Sequence, residues 1–433
     1  MKKQLRPYQE NAISSIVNGF TNKYKQLCVL PTGSGKTVIF SNVIKKLQTK
    51  TLIVAHTTEI LDQIINTLQH ECPELSCQRY NSTKKMNSDI VVCSIQSCTR
   101  KKSFDRIDNY NFDLLIVDEC HRSCAKGYRK VIDGLGFHNK KLLGVTATPF
   151  RTDKQDIYEI FGFPSFKISL IEMIKEGFLV DFKGYRVKTG VSINGIRKAQ
   201  GDFISSKLSP IINVKKRNEL IVNEYIKLSK DKKALAFCVS VKHAIELKEE
   251  FLKSGIRCEA LYGEMSPILR KKNLKSFKDG DIDVLTNCQI LTEGFDEPSI
   301  ETLLMCRPTM SKALYTQMIG RGSRIYPGKK ICNVIEFTDN DFDVCCLESL
   351  IEKQQIQIPM REYESFSNYA DRVEKELLDH EGETVVLPYE VIIKNSYSYR
   401  LASPWQIQEL KIRNIKFSLN ISEMLANSLL SKG

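Results

Sequence analysis

"LPTGSGKT" (residues 30–37) follows the apolar run "QLCVL" and precedes the helix-like stretch "VIFSNVIKKL". A strand, a glycine-rich loop and a helix N-terminus in this order present backbone N–H groups and a helix dipole to phosphate groups. Lys36 is then expected to reach the β- and γ-phosphates of ATP, and the Thr37 hydroxyl to ligate Mg²⁺. The strict pattern has glycine where Leu30 stands, but the context predicts a nucleotide-binding α/β domain. The residues expected to contact the nucleotide are Thr32, Gly33, Ser34, Gly35, Lys36 and Thr37.

A second stretch, "IVDECHRSC" (residues 116–124), has two possible interpretations. Its two cysteines and its histidine are close enough to suggest a zinc site, whereas its two acids end an apolar run. Acids at the carboxyl end of a parallel strand lie where such sheets bind ligands, so Asp118 is expected to hold Mg²⁺ and Glu119 to act as general base. A zinc site would need a further ligand and leaves the acids unexplained. We therefore favour the Mg²⁺ interpretation and expect Cys120 and Cys124 to be packing residues.

Short apolar runs alternate with helix-length segments through the first 340 residues. "QLCVL", "TLIVAH", "DIVVCS", "FDLLIVDE" and "KLLGVTAT" are typical of buried parallel strands, and a second series begins near Lys232 with "KKALAFC", "CEALYG", "IDVLTN", "ETLLMC" and "KICNVIEF". The pattern predicts two α/β domains, residues 1–167 and 168–340. An acidic linker or helical extension (341–402) and a small helical module (403–433) are expected to follow.

The net charge of +13 is unevenly distributed along the chain. Residues 341–390 contain four Lys/Arg and thirteen Asp/Glu, so the rest of the chain is strongly basic. A basic body suggests a polyanionic partner, because lysine and arginine that bind phosphates release counterions. A merely solvated basic surface is the alternative that charge alone leaves open.

The fourteen cysteines are scattered and form no CxxC pair, which is typical of a reducing compartment and gives no support to a structural zinc site. No apolar stretch approaches the ~20 residues that a bilayer-spanning helix needs, and "MKKQLRPYQEN" lacks the apolar segment of a signal peptide. We therefore expect a cytoplasmic protein without a membrane partner.

Further motifs resemble those of superfamily 2 helicases and translocases, and they occur in the family's order. They are "RPYQ" (Q motif, 6–9), "VAHTTEI" (Ia, 54–60), "CSIQS" (Ic, 93–97), "DECH" (II, 118–121), "TAT" (III, 146–148), "FCVSVKHA" (IV, 237–244), "VLTNCQILTEGFDEP" (V, 284–298) and "QMIGRGSR" (VI, 317–324). The resemblance implies two tandem RecA-like domains with parallel sheets, followed by a small, mainly helical C-terminal region.

Within the superfamily, "DECHR", "TATPFR", "EGFDEP" and "GRGSRIYPGK" look most like the bacterial RadD-like branch of the group that holds XPB and the type III restriction translocases. The DEAD-box RNA helicases resemble the chain less, because motif II ends in Cys-His and motif VI lacks their opening histidine. Two departures from the branch are the absence of a cysteine-rich segment after motif VI and of a nuclease signature.

The resemblance implies roles for residues around the nucleotide. Gln9 would bind the adenine with Arg6 beside it, and Gln317 would help to place the attacking water. Catalytic arginine fingers would be Arg321 and Arg324, with surface salt bridges as the alternative. The residues expected to couple nucleotide to nucleic acid are His121, Thr146, Thr148, Gly294 and Asp296, with His121 linking motif II to motif VI or being a plain core histidine.

The nucleic-acid track has a weaker signature, because phosphate contacts carry no sequence pattern. Positions that match the family's backbone-binding residues are Thr57, Thr58, Ser94, Gln96, Ser240 and Thr286. Hydroxyl and amide side chains at strand ends are also common helix caps, so this alternative stays open.

The combined expectation is an enzyme that hydrolyses ATP with Mg²⁺ and moves on or unwinds nucleic acid. We expect single-stranded or branched DNA, 3′ to 5′ polarity by resemblance, and a role in repair, recombination or replication. An RNA helicase is one alternative. Another is a nucleotide-gated DNA-binding motor subunit of a restriction or phage-defence complex, with a protein partner held through the C-terminal region.

Overall fold

The computed structural model describes residues 4–148, 157–199, 201–290, 295, 297–338, 344–350 and 365–379. The expected helical module at 403–433, and all of 341–402 except 344–350 and 365–379, lie outside these residues. So do Gly294 and Asp296. The described chain forms two separate parallel sheets, of seven and six strands, with helices between successive strands. The predicted α/β fold of two tandem RecA-like domains is therefore confirmed.

The first sheet has the strand order β3-β4-β2-β5-β6-β1-β7, and every pair in it is parallel. Its strands are β1 (Lys25–Val29), β2 (Thr51–Ala55), β3 (Cys77–Arg79), β4 (Ile90–Ser94), β5 (Leu114–Asp118), β6 (Lys141–Thr146) and β7 (Pro164–Lys167). Its helices are α1 (Pro7–Gly19), α2 (Lys36–Leu47), α3 (Thr58–Glu71), α4 (Ile95–Cys98), α5 (Lys101–Asn109), α6 (Lys126–Gly134) and α7 (Tyr158–Phe161). A 3₁₀ turn, Cys120–Arg122, follows β5.

The central strands of this sheet are mainly apolar because helices cover both faces. All five residues of β2 and of β5 are buried. In the register of the sheet, Val29 lies beside Thr146 and Asp118 lies beside Val145. The carboxyl ends of β1, β6 and β5 therefore lie side by side, and the loops that follow them meet at one edge.

The second sheet has the order β12-β13-β11-β14-β15-β8 and is also parallel throughout. Between the sheets the chain forms α8 (Leu170–Lys175). The strands are β8 (Asp181–Val187), β11 (Ala234–Phe237), β12 (Cys258–Leu261), β13 (Val284–Asn287), β14 (Thr302–Met305) and β15 (Ile331–Phe337). The helices are α10 (Lys215–Ser229), α11 (Val241–Lys253), α12 (Pro267–Asp279) and α13 (Lys312–Ile319).

A small element interrupts the second domain between β8 and α10. It contains a two-stranded antiparallel hairpin, β9 (Lys198–Ala199) with β10 (Asp202–Phe203), and the helix α9 (Ser205–Ile212). Five buried apolar side chains give it a core of its own, which also includes Val239 from the loop after β11. This element is therefore packed onto the sheet rather than extended from it.

Two further segments follow β15: a 3₁₀ turn, Leu347–Leu350, and the helix α14 (Phe366–Asp379). Phe366 and Tyr369 of α14 are fully buried, and Phe366 contacts Phe182 of β8 edge to face. The backbone N–H of Ser367 donates to the Asp181 carboxylate at 3.2 Å. This part of the predicted acidic extension is thus a helix docked on the second domain.

Candidate active site at the domain interface

The loop between β1 and α2 bends through two left-handed residues, Gly33 (φ 90°) and Gly35 (φ 78°). Only glycine adopts these angles without strain, and a Cβ on Gly35 would also lie 2.7 Å from Nε2 of Gln9. Lys36 is the first residue of α2 and Thr37 the second, so both lie at the helix N-terminus. The loop therefore presents its backbone and two polar side chains at the carboxyl edge of the first sheet.

The N-terminal helix holds this loop in place. Both the Tyr8 hydroxyl and Nε2 of Gln9 donate to the carbonyl oxygen of Ser34, at 2.6 and 3.2 Å. Oε1 of Gln9 accepts the backbone N–H of Arg6 at 3.0 Å, which completes the capping of α1. Both ends of the Gln9 amide are thus bound to protein in this structure, while its predicted contact with adenine stays a prediction.

Arg6 and Tyr8 also contact the segment that leads into the second domain. Nη1 of Arg6 donates to the Phe178 carbonyl at 3.1 Å, and its guanidinium lies 5.7 Å from the centre of the Phe178 ring. The Tyr8 and Phe178 rings are 4.8 Å apart. Sequence reasoning missed Phe178, because an apolar residue after a short helix carries no motif.

The two acids end β5 beside the loop. Oδ1 of Asp118 accepts the backbone N–H of Glu119 at 3.0 Å, and Oε1 of Glu119 lies 3.2 Å from Nζ of Lys36. Glu119 has φ 49°, a left-handed angle that is uncommon outside glycine and that clusters at functional sites. The turn brings the Glu119 carboxylate directly to the lysine of the phosphate-binding loop.

The environment of Glu119 keeps it ionised. Burial alone would raise its pKa, but the charge of Lys36 and the hydrogen bond from His121 outweigh burial and hold the pKa well below the usual carboxyl value. A carboxylate that is charged at neutral pH can accept a hydrogen bond from water. Glu119 is therefore in the protonation state that a general base requires.

His121 connects the second acid to motif III. Its Nδ1 lies 3.3 Å from Oε2 of Glu119 and 3.1 Å from Oγ1 of Thr146. The Thr146 hydroxyl in turn donates to the Thr148 carbonyl and accepts the Thr148 N–H, both at 3.1 Å. His121, Thr146 and Thr148, three of the predicted coupling residues, thus form a buried hydrogen-bonded cluster at the end of β6, and Glu119 lies next to it. The predicted link from His121 to motif VI stays a prediction.

The two cysteines of "DECHRSC" lie in or against the core beneath the acids. Cys120 is fully buried, and burial raises the pKa of its thiol well above the ordinary value. A Cβ on Gly144 would lie only 2.9 Å from its Sγ, so the neighbouring strand leaves no space for an ion there. Cys124 packs against the same core. Within the residues that the structure describes, no group of three potential ligands could hold a metal ion.

Motif VI of the second domain lies directly on the phosphate-binding loop. A Cβ on Gly320 would lie 2.3 Å from Cβ of Thr32, and Oγ of Ser323 donates to the Thr32 carbonyl at 3.4 Å. The Val180 N–H donates to the Ser323 carbonyl at 2.7 Å, which joins the linker to the same segment. Sequence reasoning singled out neither Gly320 nor Ser323, although both lie inside motif VI.

Both predicted finger arginines donate to a single oxygen. Nη1 of Arg321 and Nη1 of Arg324 lie 2.6 and 3.0 Å from the carbonyl oxygen of Phe295 in motif V. The Arg324 stem reaches the loop, since its Cγ would be 3.5 Å from a Cβ on Gly33. Gln317 is buried on α13 of the same motif. The structure thus brings motifs V and VI together beside the loop.

Three of the six predicted nucleic-acid residues are helix caps in this structure. The hydroxyls of Thr57, Ser94 and Ser240 accept backbone N–H groups at the starts of α3, α4 and α11, at 3.4, 3.2 and 3.1 Å. Gln96 is exposed on α4, and the side chain of Thr58 is outside the described set. Thr286 is fully buried and donates to the Ala244 carbonyl at 2.8 Å, which argues against a direct contact with nucleic acid.

The loop has the features that a bound triphosphate needs. The hydroxyls of Thr32 and Ser34 are buried and lack a hydrogen-bond partner in the part of the chain that the structure describes, and burying a hydroxyl unpaired is costly. With Lys36 beside them, they form a set of donors around a left-handed glycine turn. Asp118 and the Thr37 hydroxyl supply the oxygen ligands that Mg²⁺ prefers. The residues present therefore fit an ATP–Mg²⁺ complex.

Family models match both domains. One described as "Type III restriction enzyme, res subunit" matches residues 2–151, and one described as "Helicase conserved C-terminal domain" matches residues 216–326. The fold and the site thus define a tandem RecA-like protein with a phosphate-binding loop at its domain interface. The chain belongs to superfamily 2 of the helicases. The resemblance to the RadD-like branch stays a prediction.

Individual relatives agree with this placement. The chain is 33% identical over 355 residues to IRC3 of Saccharomyces cerevisiae, named as a candidate ATP-dependent helicase, covering 77% of this chain and 51% of that protein. It is 24% identical over 362 residues to the "DNA 3'-5' translocase XPB2" of Sulfurisphaera tokodaii, covering 74% of this chain and 78% of XPB2. The chain therefore spans only about half the length of IRC3.

A solved structure shows the same fold. Dbp5 of Saccharomyces cerevisiae, bound to RNA and ADP BeF3, superposes with a TM-score of 0.56 at 16% identity, covering 86% of this chain and 93% of that chain. Among the described helices of the present chain, none is long and apolar enough to cross a membrane. The expected cytoplasmic location stays a prediction.

Proposed function

We propose that the chain is an ATP-dependent motor that translocates on DNA or unwinds it, with 3′ to 5′ polarity, in repair, recombination or replication. The observation that carries the proposal is the 3.2 Å contact between Lys36 and Glu119, in a loop that motif VI of the other domain covers. This arrangement places a phosphate-binding cation, a charged carboxylate and two arginines around one interface.

In the proposed reaction, ATP with Mg²⁺ supplies the phosphoanhydride bond that water cleaves. Lys36 and the backbone of residues 32–37 would bind the phosphates, and Thr37 with Asp118 would hold the metal ion, which supplies positive charge to the phosphate oxygens. When Lys36 turns from Glu119 to a phosphate oxygen, the Glu119 carboxylate would be released to accept a proton from water. Gln317 and Glu119 then orient the attacking water.

The second domain contributes through motif VI. Arg321 and Arg324 exchange the Phe295 carbonyl for the γ-phosphate and stabilise the charge that develops in the transition state. Because both arginines donate to Phe295 of motif V, their movement would also release this residue. His121, Thr146 and Thr148 transmit the state of Glu119 to the end of β6.

Two findings favour DNA as the track. The family model for the first domain describes a restriction-enzyme subunit, and the XPB2 relative is named as a DNA translocase. The net charge of +13 suits a phosphate backbone of either kind. An RNA helicase is the second candidate, because a structure of the same fold holds RNA.

The third candidate is a motor subunit of a restriction or phage-defence complex, which the name of the first-domain family favours. Such a subunit would bind DNA in a nucleotide-dependent way and need a partner protein for its full activity. The C-terminal region after residue 340 is the proposed site for that partner.

ATP hydrolysis measured in parallel with single-stranded DNA, duplex DNA, forked DNA and RNA tests the proposal, with Lys36→Ala as the inactive control. We expect single-stranded or forked DNA to stimulate hydrolysis more than RNA does, and strand displacement on a forked substrate. Stronger stimulation by RNA would establish the RNA helicase instead. DNA binding and stimulation without displacement would favour a subunit that needs a partner.

A further inference from the structure

We call the element between β8 and α10, residues 188–213, the edge insert. It comprises the β9–β10 hairpin and α9, and neither the motifs nor the nucleotide site involve it. Its buried side chains Ile193, Ile196, Phe203, Leu208 and Ile212 pack with Val239, and Met310 lies against the same cluster. The edge insert is thus attached to the loops after β11 and β14.

An acid inside the hairpin fixes this attachment. Oδ2 of Asp202 accepts Nη2 of Arg307 at 3.2 Å and the Thr309 hydroxyl at 2.8 Å, and Oδ1 accepts the Met310 N–H at 2.9 Å. All three donors follow the carboxyl end of β14, which is Met305. The hairpin therefore lies over the carboxyl edge of the second sheet.

A second contact joins the edge insert to motif IV. Oγ of Ser209 in α9 lies 2.7 Å from Oγ of Ser240. Ser240 caps α11 directly after β11, and it is the residue of the second domain at which we expect a nucleic-acid phosphate. The edge insert is consequently the immediate neighbour of the proposed track.

The charged residues of the edge insert are mostly cationic. It contains four cationic residues, Lys188, Arg197, Lys198 and Lys207, and one acid, Asp202. Asp202 faces the sheet and is paired with Arg307, whereas Arg197, Lys198 and Lys207 are exposed. The outer surface of the edge insert therefore presents three exposed cations, while its one acid is turned toward the loop after β14.

We propose that the edge insert is an accessory nucleic-acid-binding element, in which Arg197, Lys198 and Lys207 bind the phosphodiester backbone of the strand that passes Ser240. The inference rests on the proposed function and deepens it, because it adds a second-domain contact outside the helicase motifs. The core of the insert and the Asp202 contacts hold the cations in place, so the strand meets a rigid surface.

The test uses the full chain with Arg197→Ala, Lys198→Ala and Lys207→Ala combined. The three side chains are exposed, so the triple variant should unfold at the temperature of the parent protein. The probes are fluorescent thirty-nucleotide oligothymidylate and oligouridylate, measured by anisotropy at several salt concentrations. We expect at least a fivefold loss of affinity for the strand that the parent binds better. Each phosphate contact that is lost on a single strand lowers the steepness of log affinity against log salt by ~0.7. The loss of all three cations should therefore lower it by about 2.

A matched control removes the same charge at the opposite edge of the same sheet. Lys230, Lys253 and Lys278 are exposed and lie at the amino edge, just before β11 and at the ends of α11 and α12. Their combined change to alanine should leave affinity and salt slope close to those of the parent. An equal loss in both triple variants, or no loss in the first, would overturn the proposal. A parent protein that binds neither probe would instead refute the proposed function.

Discussion

Lys36 and Glu119 form an ion pair, with 3.2 Å between Nζ and Oε1, although 83 positions separate them in the chain. One residue begins α2 and the other follows β5, so the pair joins the phosphate-binding loop to the acidic end of a neighbouring segment. Only 11% and 13% of the two side chains are exposed, and little solvent screens the contact. This pair gives each residue a defined electrostatic environment that substitution can test.

The first prediction concerns Glu119→Gln. The amide keeps the shape of the side chain but cannot take a proton from water, so ATP should still bind while turnover falls by about 100- to 10,000-fold. Fluorescent-nucleotide binding and steady-state ATP hydrolysis on the same preparation measure the two effects. Loss of binding together with turnover would contradict the assigned role.

The control for this prediction lies in the same stretch. Cys120→Ser combined with Cys124→Ser should leave turnover largely intact, because both side chains pack in or against the core. Cys120 is fully buried, so the serine lowers thermal stability, and Cys120→Ala separates that effect from activity. Abolished turnover in a folded double variant would restore the zinc interpretation of "DECHRSC".

The second prediction concerns pH. The folded protein holds the pKa of Glu119 below its ordinary value of 4.5, so the unfolded chain binds a proton before the folded one does. The stability that this carboxylate contributes is present above pH 4.5 and is lost as the pH falls toward the lowered value. The melting temperature of Glu119→Gln should therefore differ from that of the parent more at pH 7 than at pH 3. Glu10→Gln, on an exposed side chain, should show a smaller change of this kind.

All the central strands were predictable from the sequence, but three of the four edge strands were not. All ten apolar runs that the sequence singled out are strands, because burial on both faces of a parallel sheet demands continuous apolar residues. The strands β3, β7 and β8 escaped, since their sequences "CQR", "PSFK" and "DFKGYRV" carry polar residues on a half-exposed edge. These strands can carry polar residues because they lie at the edge of a sheet, and the sequence alone does not show which strands lie there.

The candidate site also has a part that the sequence predicts and a part that only the structure shows. Motifs identified Lys36, Asp118 and Glu119 because their chemistry requires those residue types at fixed distances from a strand. The hydrogen bond between His121 and Thr146, by contrast, depends on β5 and β6 being neighbours. A helix-cap hydroxyl and a phosphate-binding hydroxyl also have the same sequence signature, so structure was needed to show that Thr57, Ser94 and Ser240 are caps.

The third prediction isolates the contact between the domains. Gly320 has an ordinary helical backbone (φ −60°), so alanine there adds no strain of its own, yet its Cβ would lie 2.3 Å from Cβ of Thr32. Gly320→Ala should push motif VI away from the phosphate-binding loop and lower kcat by about 100-fold, the cost of a misplacement near 1 Å. ATP hydrolysis and thermal unfolding measured together distinguish this from global destabilisation.

Gly263→Ala is the matched control, because a Cβ there meets no atom within 4 Å. It should leave both kcat and the melting temperature close to the parent values. If the two alanine variants hydrolysed ATP equally well, the close approach of Gly320 to Thr32 would have no part in catalysis.

The fourth prediction tests the buried path from Glu119 to motif III. Thr146→Val keeps the shape of the side chain but removes the hydroxyl that contacts His121 and Thr148, leaving a buried N–H unpaired at a cost of about 1–3 kcal/mol.

The number of base pairs separated per ATP hydrolysed should fall in this variant, because the state of Glu119 no longer reaches the end of β6. Thr302→Val is the matched control: Thr302 is also fully buried, but its hydroxyl has no hydrogen-bond partner among the described residues, so its removal should not lower stability and should leave coupling unchanged. Strand displacement and ATP consumption measured in one reaction give the ratio. An unchanged ratio in Thr146→Val would show that the path holds the fold together without coupling hydrolysis to movement.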